Sequence, residues 1–189
     1  MTDAPRTETR TSATQPTLAG DRLVLRPVEA ADRRALREIL ADPEVQRWWG
    51  PGDLERAADD LYDDETHGFA IVVAGQIVGY VQYAEETDPD YRHASVDIFL
   101  GDEGRGRGYG PEAIRTLARH LFEDRGHHRL TIDPSAANAR AIAAYERVGF
   151  RPVGIMRLYE RGPDGTFHDG LLMDMLREEL VDDSDRATG

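Results

Sequence analysis

The sequence predicts a mixed α/β fold, a sheet with helices on its faces, and two observations carry that expectation. Residues 69–73 and 76–83 are β-rich runs joined by Ala74-Gly75, a hairpin signal, so part of the sheet is antiparallel. Farther along, a strand at 95–100 leads through a glycine-rich turn into a helix opened by Pro111. The chain then runs on to a short strand at 129–132, which makes a strand-helix-strand crossover.

The other elements follow in chain order. Residues 22–26 alternate and read as a first strand. Leu36, Ile39 and Leu40 share one helical face, and Pro43 is expected to stop that run. Trp48 and Trp49 are expected on an extended segment, where alternation lets one ring pack while Trp49 lines a cleft. Leu54, Ala57, Ala58 and Leu61 give a second amphipathic helix with Asp53 as its N-cap. In the helix from Pro111, Ile114, Leu117, Ala118, Leu121 and Phe122 recur at helical spacing. A further helix carries Ala141, Ile142, Tyr145 and Val148 and ends at Gly149. Residues 153–159 and 167–176 are expected to pair around Pro163-Asp164-Gly165. Residues 1–20 and 182–189, poor in large apolar groups, are expected to be flexible tails around a single domain at 21–181.

Composition removes several functions. The 189 residues carry 23 basic and 36 acidic side chains, a formal net charge of -13. That balance argues against general nucleic-acid binding, which rests on cations that displace phosphate counterions, and against an anionic membrane surface. It favours cationic partners. There is no Cys, so disulfides, Cys-ligated zinc and a cysteine nucleophile are excluded. All 23 basic residues are Arg, which excludes Schiff-base chemistry and a phosphate-loop lysine. No apolar run approaches the ~20 residues of a membrane span, and Met1 to Gly20 has no apolar signal core. A cytoplasmic location is expected. The six His residues lack ligand spacing, so no metal is assigned, and the His127-His128 pair is expected at the surface.

Gly104-Arg105-Gly106-Arg107-Gly108-Tyr109-Gly110 is the most informative stretch. A glycine-rich turn between strand and helix lets backbone N–H groups approach a phosphate, and the helix N-terminus adds partial positive charge. Arg105 and Arg107 would add mobile cations. A nicotinamide-binding turn would belong near the first strand, and here several strands precede it. Arg105-x-x-Gly108-x-Gly110, followed by Asn138-x-x-Ala141-x-x-x-Tyr145-x-x-x-Gly149-Phe150, resembles the two signatures of the GNAT superfamily of acetyl-CoA-dependent N-acetyltransferases. The resemblance implies a twisted, mostly antiparallel sheet whose central parallel strand pair splays, with acetyl-CoA in the splay. It places the pyrophosphate on the amides of Arg105, Gly106, Arg107, Gly108, Tyr109 and Gly110. It places the pantetheine along Ile98, Phe99 and Leu100, with Asn138 and Tyr145 also at the cofactor.

Three further stretches are similar to aminoglycoside 6′-N-acetyltransferases: Val45-x-x-Trp48-Trp49-Gly50, Glu85-Glu86-Thr87-Asp88-Pro89 and Thr131-x-Asp133-Pro134-Ser135. Protein N-terminal and siderophore acetyltransferases share parts of this pattern, and a non-catalytic acetyl-CoA-binding module would also keep the cofactor signatures. A polycationic sugar asks for carboxylates at several depths and an aromatic wall. The resemblance places Asp88, Asp97, Asp133 and Asp169 at the acceptor groove, with Asp164 as an alternative to Asp169, and Trp49, Tyr80, Gln82 and Glu85 are expected to border the same groove. With no Cys, direct transfer in a ternary complex is expected. Asp97 matches a candidate base, with Glu85 and Glu86 as alternatives, and Tyr145 matches the tyrosine that protonates the departing thiolate. The enzyme would act on a small amine as a monomer or homodimer.

Overall fold

A computed structural model describes residues 15–49, 58, 60–62, 66–162 and 164–181. Eight strands form one sheet: β1 (Leu18–Ala19), β2 (Val24–Pro27), β3 (His67–Val73), β4 (Gln76–Glu86), β5 (His93–Leu100), β6 (Arg129–Ile132), β7 (Arg151–Arg161) and β8 (Phe167–Leu176). Among the described residues they are accompanied by the helices α1 (Arg33–Leu40), α2 (Pro43–Trp49), α3 (Tyr109–Glu123) and α4 (Ala139–Glu146). The sheet order is β1-β2-β3-β4-β5-β6-β8-β7. Its pairs are antiparallel except β5 with β6, which are joined by the α3 crossover.

That parallel pair meets only at Ala94↔Leu130 and Ser95↔Thr131. On its other edge β5 stays paired with β4 as far as Leu100. Strands β5 and β6 therefore part company toward their C-terminal ends, and a wedge opens in the middle of the sheet.

Both faces of the sheet are covered. On one face Leu25, Phe69, Val81, Tyr83 and Val96 pack against Ile114, Leu117, Leu121 and Phe122 of α3. On the other, Tyr80 and Phe99 pack with Leu36, Leu40 and Val45 of α1 and α2. Strand alternation explains the division, since Tyr80 and Tyr83 are an odd number of residues apart on β4. Burying each large apolar side chain contributes roughly 1.5–3 kcal/mol, so α3 is the strongest brace on the sheet.

Four expectations change. Pro43 does not only stop α1; it occupies the first position of α2, where its missing N–H costs nothing. The Asp42 carboxylate caps that helix, accepting from the Glu44 N–H at 2.9 Å. Trp48 and Trp49 are consequently helical rather than extended. Leu18 and Ala19, expected in the tail, pair with Leu25 and Val24. His127, expected at the surface, is buried and hydrogen-bonds through Nε2 to Glu85 at 2.7 Å.

Ala58 and Leu61 are buried as the amphipathic pattern requires. Asp53, Leu54 and Ala57, with most of the two expected tails, lie outside the described residues. No helix among the described residues is long and apolar enough to cross a membrane.

Candidate active site

The wedge between β5 and β6 opens into a cleft of about 950 Å³. One end is bounded by the glycine-rich turn and the start of α3, the other by residues at the ends of β5 and β6 and on β7. Expected cofactor residues that line it are Ile98, Phe99, Leu100, Arg105, Gly106, Gly108, Gly110, Asn138 and Tyr145.

Gly108 is the N-cap of α3 and has a φ of 84°, a left-handed conformation that glycine adopts without strain. The first turn of α3, whose leading N–H groups have no partner inside the helix, borders the cleft through Gly108, Gly110 and Pro111. Arg22 braces the outside of the turn. Its Nη1 donates to the Arg107 carbonyl at 3.1 Å, and its Nε donates to the buried Glu112 carboxylate at 2.8 Å.

Both arginines of the turn have acidic partners. Arg105 donates to Asp42 at 2.6 Å and to the Leu100 carbonyl at 2.9 Å, tying the start of α2 to the end of β5. Arg107 points outward to Glu103 at 3.2 Å, and the Tyr109 ring lies under Arg22 at 5.0 Å. Neither Arg107 nor Tyr109 is among the residues lining the cleft. Asn138 spends its carbonyl oxygen as the N-cap of α4, accepting from the Ala141 N–H at 3.1 Å.

At the other end three carboxyl groups converge: Asp97 on β5, Asp133 just after β6 and Glu160 on β7. Asp97 is exposed to the cleft, although protein packs closely around it. This burial, reinforced by the Asp133 carboxylate, pushes its carboxyl up to about 6, against a weak hydrogen bond from Gln82 Nε2 at 3.4 Å. Glu160 is raised in the same way, first by burial and then by Asp133 and Asp97. The Tyr159 phenol is half exposed, and its interaction with the Asp133 carboxylate, more than burial, raises it to about 12. Burial and the same two aspartates raise the Tyr145 phenol as well.

Among the expected acceptor residues, Trp49, Asp97 and Asp133 line the cleft. The others have different work. Tyr80 is fully buried behind the wall; its hydroxyl lies 2.8 Å from Gln82 Oε1, so it orients the amide that reaches Asp97. Glu85 is on the opposite face of β4, where Arg125 and His127 each approach to 2.7 Å. Burial would raise its carboxyl, but these partners hold it below the usual range. Neither Glu85 nor Glu86, whose carboxylate accepts from the Asp88 N–H at 2.9 Å, is placed to be a base. Asp88 shapes a turn by accepting from the Asp90 N–H at 2.9 Å. Asp169 accepts from the Leu158 N–H at 2.8 Å, and Asp164 is bound to Thr166 and His168 in the β7–β8 turn.

Several lining residues were not anticipated: Trp48, Glu44, Arg140, Arg147, Tyr159, Glu160 and Arg161. Trp49 is the ring that packs, edge-on to Phe99 at 4.8 Å. Trp48 is held by Glu44, 3.1 Å from its indole N–H, and by Arg47, 4.6 Å above its ring. Among the described residues no group of three or more His, Cys, Asp or Glu side chains could hold a metal ion.

An acetyltransferase (GNAT) domain model matches residues 22–151. The chain belongs to the GNAT acetyltransferase family. It is an acyltransferase that uses acetyl-CoA for N-acetylation. Aminoglycoside N(6′)-acetyltransferase type 1 of Klebsiella pneumoniae is 28% identical over 170 residues, covering 79% of this chain and 82% of that protein. Spermidine N(1)-acetyltransferase of Escherichia coli K12 is 24% identical over 164 residues, covering 83% of this chain and 87% of its own. Among solved structures, Mycobacterium smegmatis RimJ in complex with CoA-disulfide shares the fold with a TM-score of 0.78, at 24% identity over 88% of this chain and 90% of that one.

Proposed function

We propose that this GNAT enzyme acetylates a primary amine of a polycationic small molecule, with the 6′-amine of an aminoglycoside as the acceptor, by direct transfer in a ternary complex. The observation that carries this reading is the convergence of Asp97, Asp133 and Glu160 at one end of the cleft. Such a group is costly unless ammonium groups neutralise it. Two relatives named for aminoglycoside and spermidine acetylation, both polyamines, support the same acceptor class.

In this reading the amides of Gly106, Gly108 and Gly110 hold the pyrophosphate, and the unpaired edge of β5 at Ile98 to Leu100 holds the pantetheine arm. The ammonium of the acceptor gives a proton to Asp97, directly or through water. The free amine attacks the thioester carbonyl carbon. As the C–S bond breaks, the thiolate takes a proton from Tyr145, and the second proton of the attacking nitrogen, released as the amide forms, restores the Tyr145 phenol. A carboxyl near 6 is better matched to this transfer than an ordinary one, and it is ionised at neutral pH.

The deciding experiment mixes pure protein, acetyl-CoA and an acceptor panel and follows free CoA thiol. Aminoglycosides with a 6′-amine are expected to release thiol, and those with a 6′-hydroxyl are not. Raising ionic strength from about 0.05 to 0.5 M should raise the acceptor KM, because screening shortens to a few ångströms. Preference for spermidine, a siderophore amine or a peptide N-terminus would replace the aminoglycoside reading, and no turnover with any amine would leave a binding module.

Tyr145→Phe tests the proton donor. The change keeps the ring packing near Phe150 and deletes only the hydroxyl. Turnover is expected to fall about 10²-fold, the lower range for a lost general acid. The defect should shrink with a thioester whose leaving thiol is more acidic. Unchanged turnover would make Tyr145 a packing residue.

A further inference from the structure

We propose that Asp169 is a positioning residue: with Gly170 it locks a bulge in β7 that turns Tyr159 and Glu160 into the acetyl-transfer cleft. The inference rests on the reading of that end of the cleft as the acceptor site. The pairing of β7 with β8 runs Met156↔Gly170 and then Glu160↔His168, so residues 157–159 stand opposite the single residue Asp169. Such an insertion breaks the ladder and re-aims the side chains that follow it.

Three features hold the bulge. Leu158 has a φ of 50°, in the left-handed region that a branched side chain rarely occupies. Its N–H, left out of the ladder, donates to Asp169 Oδ1 at 2.8 Å. A Cβ on Gly170 would come within 2.9 Å of the Tyr159 ring, so only glycine leaves that ring its place. The backbone around Asp169 also grips the other side of the site. The Asp169 carbonyl accepts from the Ala136 N–H at 2.9 Å, and the Leu171 N–H donates to the Pro134 carbonyl at 2.9 Å. These bonds fix the segment that follows Asp133. One short stretch of β8 therefore sets Asp133 near Tyr159 and brings Glu160 beside them at the cleft.

This assigns Asp169 a role different from contact with an acceptor ammonium. Its carboxylate matters as a hydrogen-bond acceptor, not as a charge. The positive φ of Leu158 is a strain that the bond to Asp169 offsets, and a glycine at 158 would remove the need for it.

The test compares Asp169→Ala, Asp169→Asn, Gly170→Ala and the double variant Asp169→Ala/Leu158→Gly. Acceptor KM and kcat, acetyl-CoA affinity by calorimetry, and hydrogen exchange of the residue-158 amide by NMR are measured for each. Asp169→Ala and Gly170→Ala are expected to raise the acceptor KM about tenfold, with kcat and acetyl-CoA affinity little changed, a modest case of misplacement. Asp169→Asn, which can still accept from the Leu158 N–H, and the double variant should return KM to near the wild-type value.

The residue-158 amide should exchange faster in Asp169→Ala than in the wild type and stay protected in Asp169→Asn. This arm needs no acceptor, so it decides the bulge lock even if no amine is acetylated. An unchanged KM in both single alanine variants overturns the proposal. So does an Asp169→Asn variant as impaired as Asp169→Ala, because charge would then be what matters. Equal exchange at residue 158 with and without the Asp169 carboxyl overturns it as well.

Discussion

Asp97→Asn is expected to lower turnover about 10²- to 10⁴-fold while leaving acetyl-CoA affinity nearly intact, the range for a lost general base. The substitution keeps the shape and the contact with Gln82 but removes charge and basicity. Because burial and the Asp133 carboxylate push the Asp97 carboxyl up to about 6, wild-type kcat/KM should fall as pH drops through 6, and that limb should vanish in the variant. If Asp97 only holds an ammonium in place, the acceptor KM will suffer more than kcat. Wild-type turnover would remove Asp97 from the chemistry.

The same group makes a separate thermodynamic prediction. Its folded value lies above the ordinary 3.8, so the folded state holds the proton more tightly than the unfolded state. Stability then falls as pH rises from about 3.8 through 6, and the loss is complete above that window. Asp97→Asn should melt higher than the wild type at pH 8 and at nearly the same temperature below pH 3.8, as thermal denaturation at the two pH values would show. The site would then trade stability for a poised carboxyl.

Local signals in the sequence carry much of this fold. The apolar face of α3, the Ala74-Gly75 turn and the β-rich runs each follow from short-range periodicity, and the structure has an element at each. Helix α2 was missed because Pro43 can close one helix or open the next, and only the packing of Val45 on Tyr80 and Phe99 decides between them. The cofactor turn was legible because its requirement is local: free N–H groups at a helix start, reached past glycine.

The acceptor end was less legible for a different reason. Aspartate is also a turn and cap residue, and Asp88 and Asp169 serve the backbone in those ways. Glu85 pairs with Arg125 and His127, about forty residues away in sequence, and no local pattern announces such partners. Tyr159 lies in a bulge and Glu160 just after it, and strict alternation along β7, which sends adjacent side chains to opposite faces, does not predict that both line the cleft. Asp97 and Asp133 were anticipated by resemblance, and the upward push of Asp133 on the Asp97 carboxyl needed the strands to be placed side by side.

Gly108→Val is expected to abolish acetyl-CoA binding, by more than about 10²-fold in calorimetric affinity, while the chain still folds. Two costs combine at this position. A β-branched residue at a φ of 84° is strained by roughly 1–3 kcal/mol, which the turn can relieve only by rotating the amides that face the cleft. Its γ-carbons would also occupy the space through which a phosphate oxygen must come within roughly 2.7–3.2 Å of those N–H groups. The fold should survive, since Arg22 and Glu112 hold the turn from outside and the buried face of α3 is untouched. Circular dichroism that matches the wild type would establish this. Gly108→Ala should fall between the two, because a lone Cβ meets only the Arg22 Nη2 end at 3.1 Å, and that end can move aside. Affinity within threefold of wild type in a folded Gly108→Val protein would mean that the pyrophosphate does not rest on this turn, and the cofactor would have to enter the wedge another way.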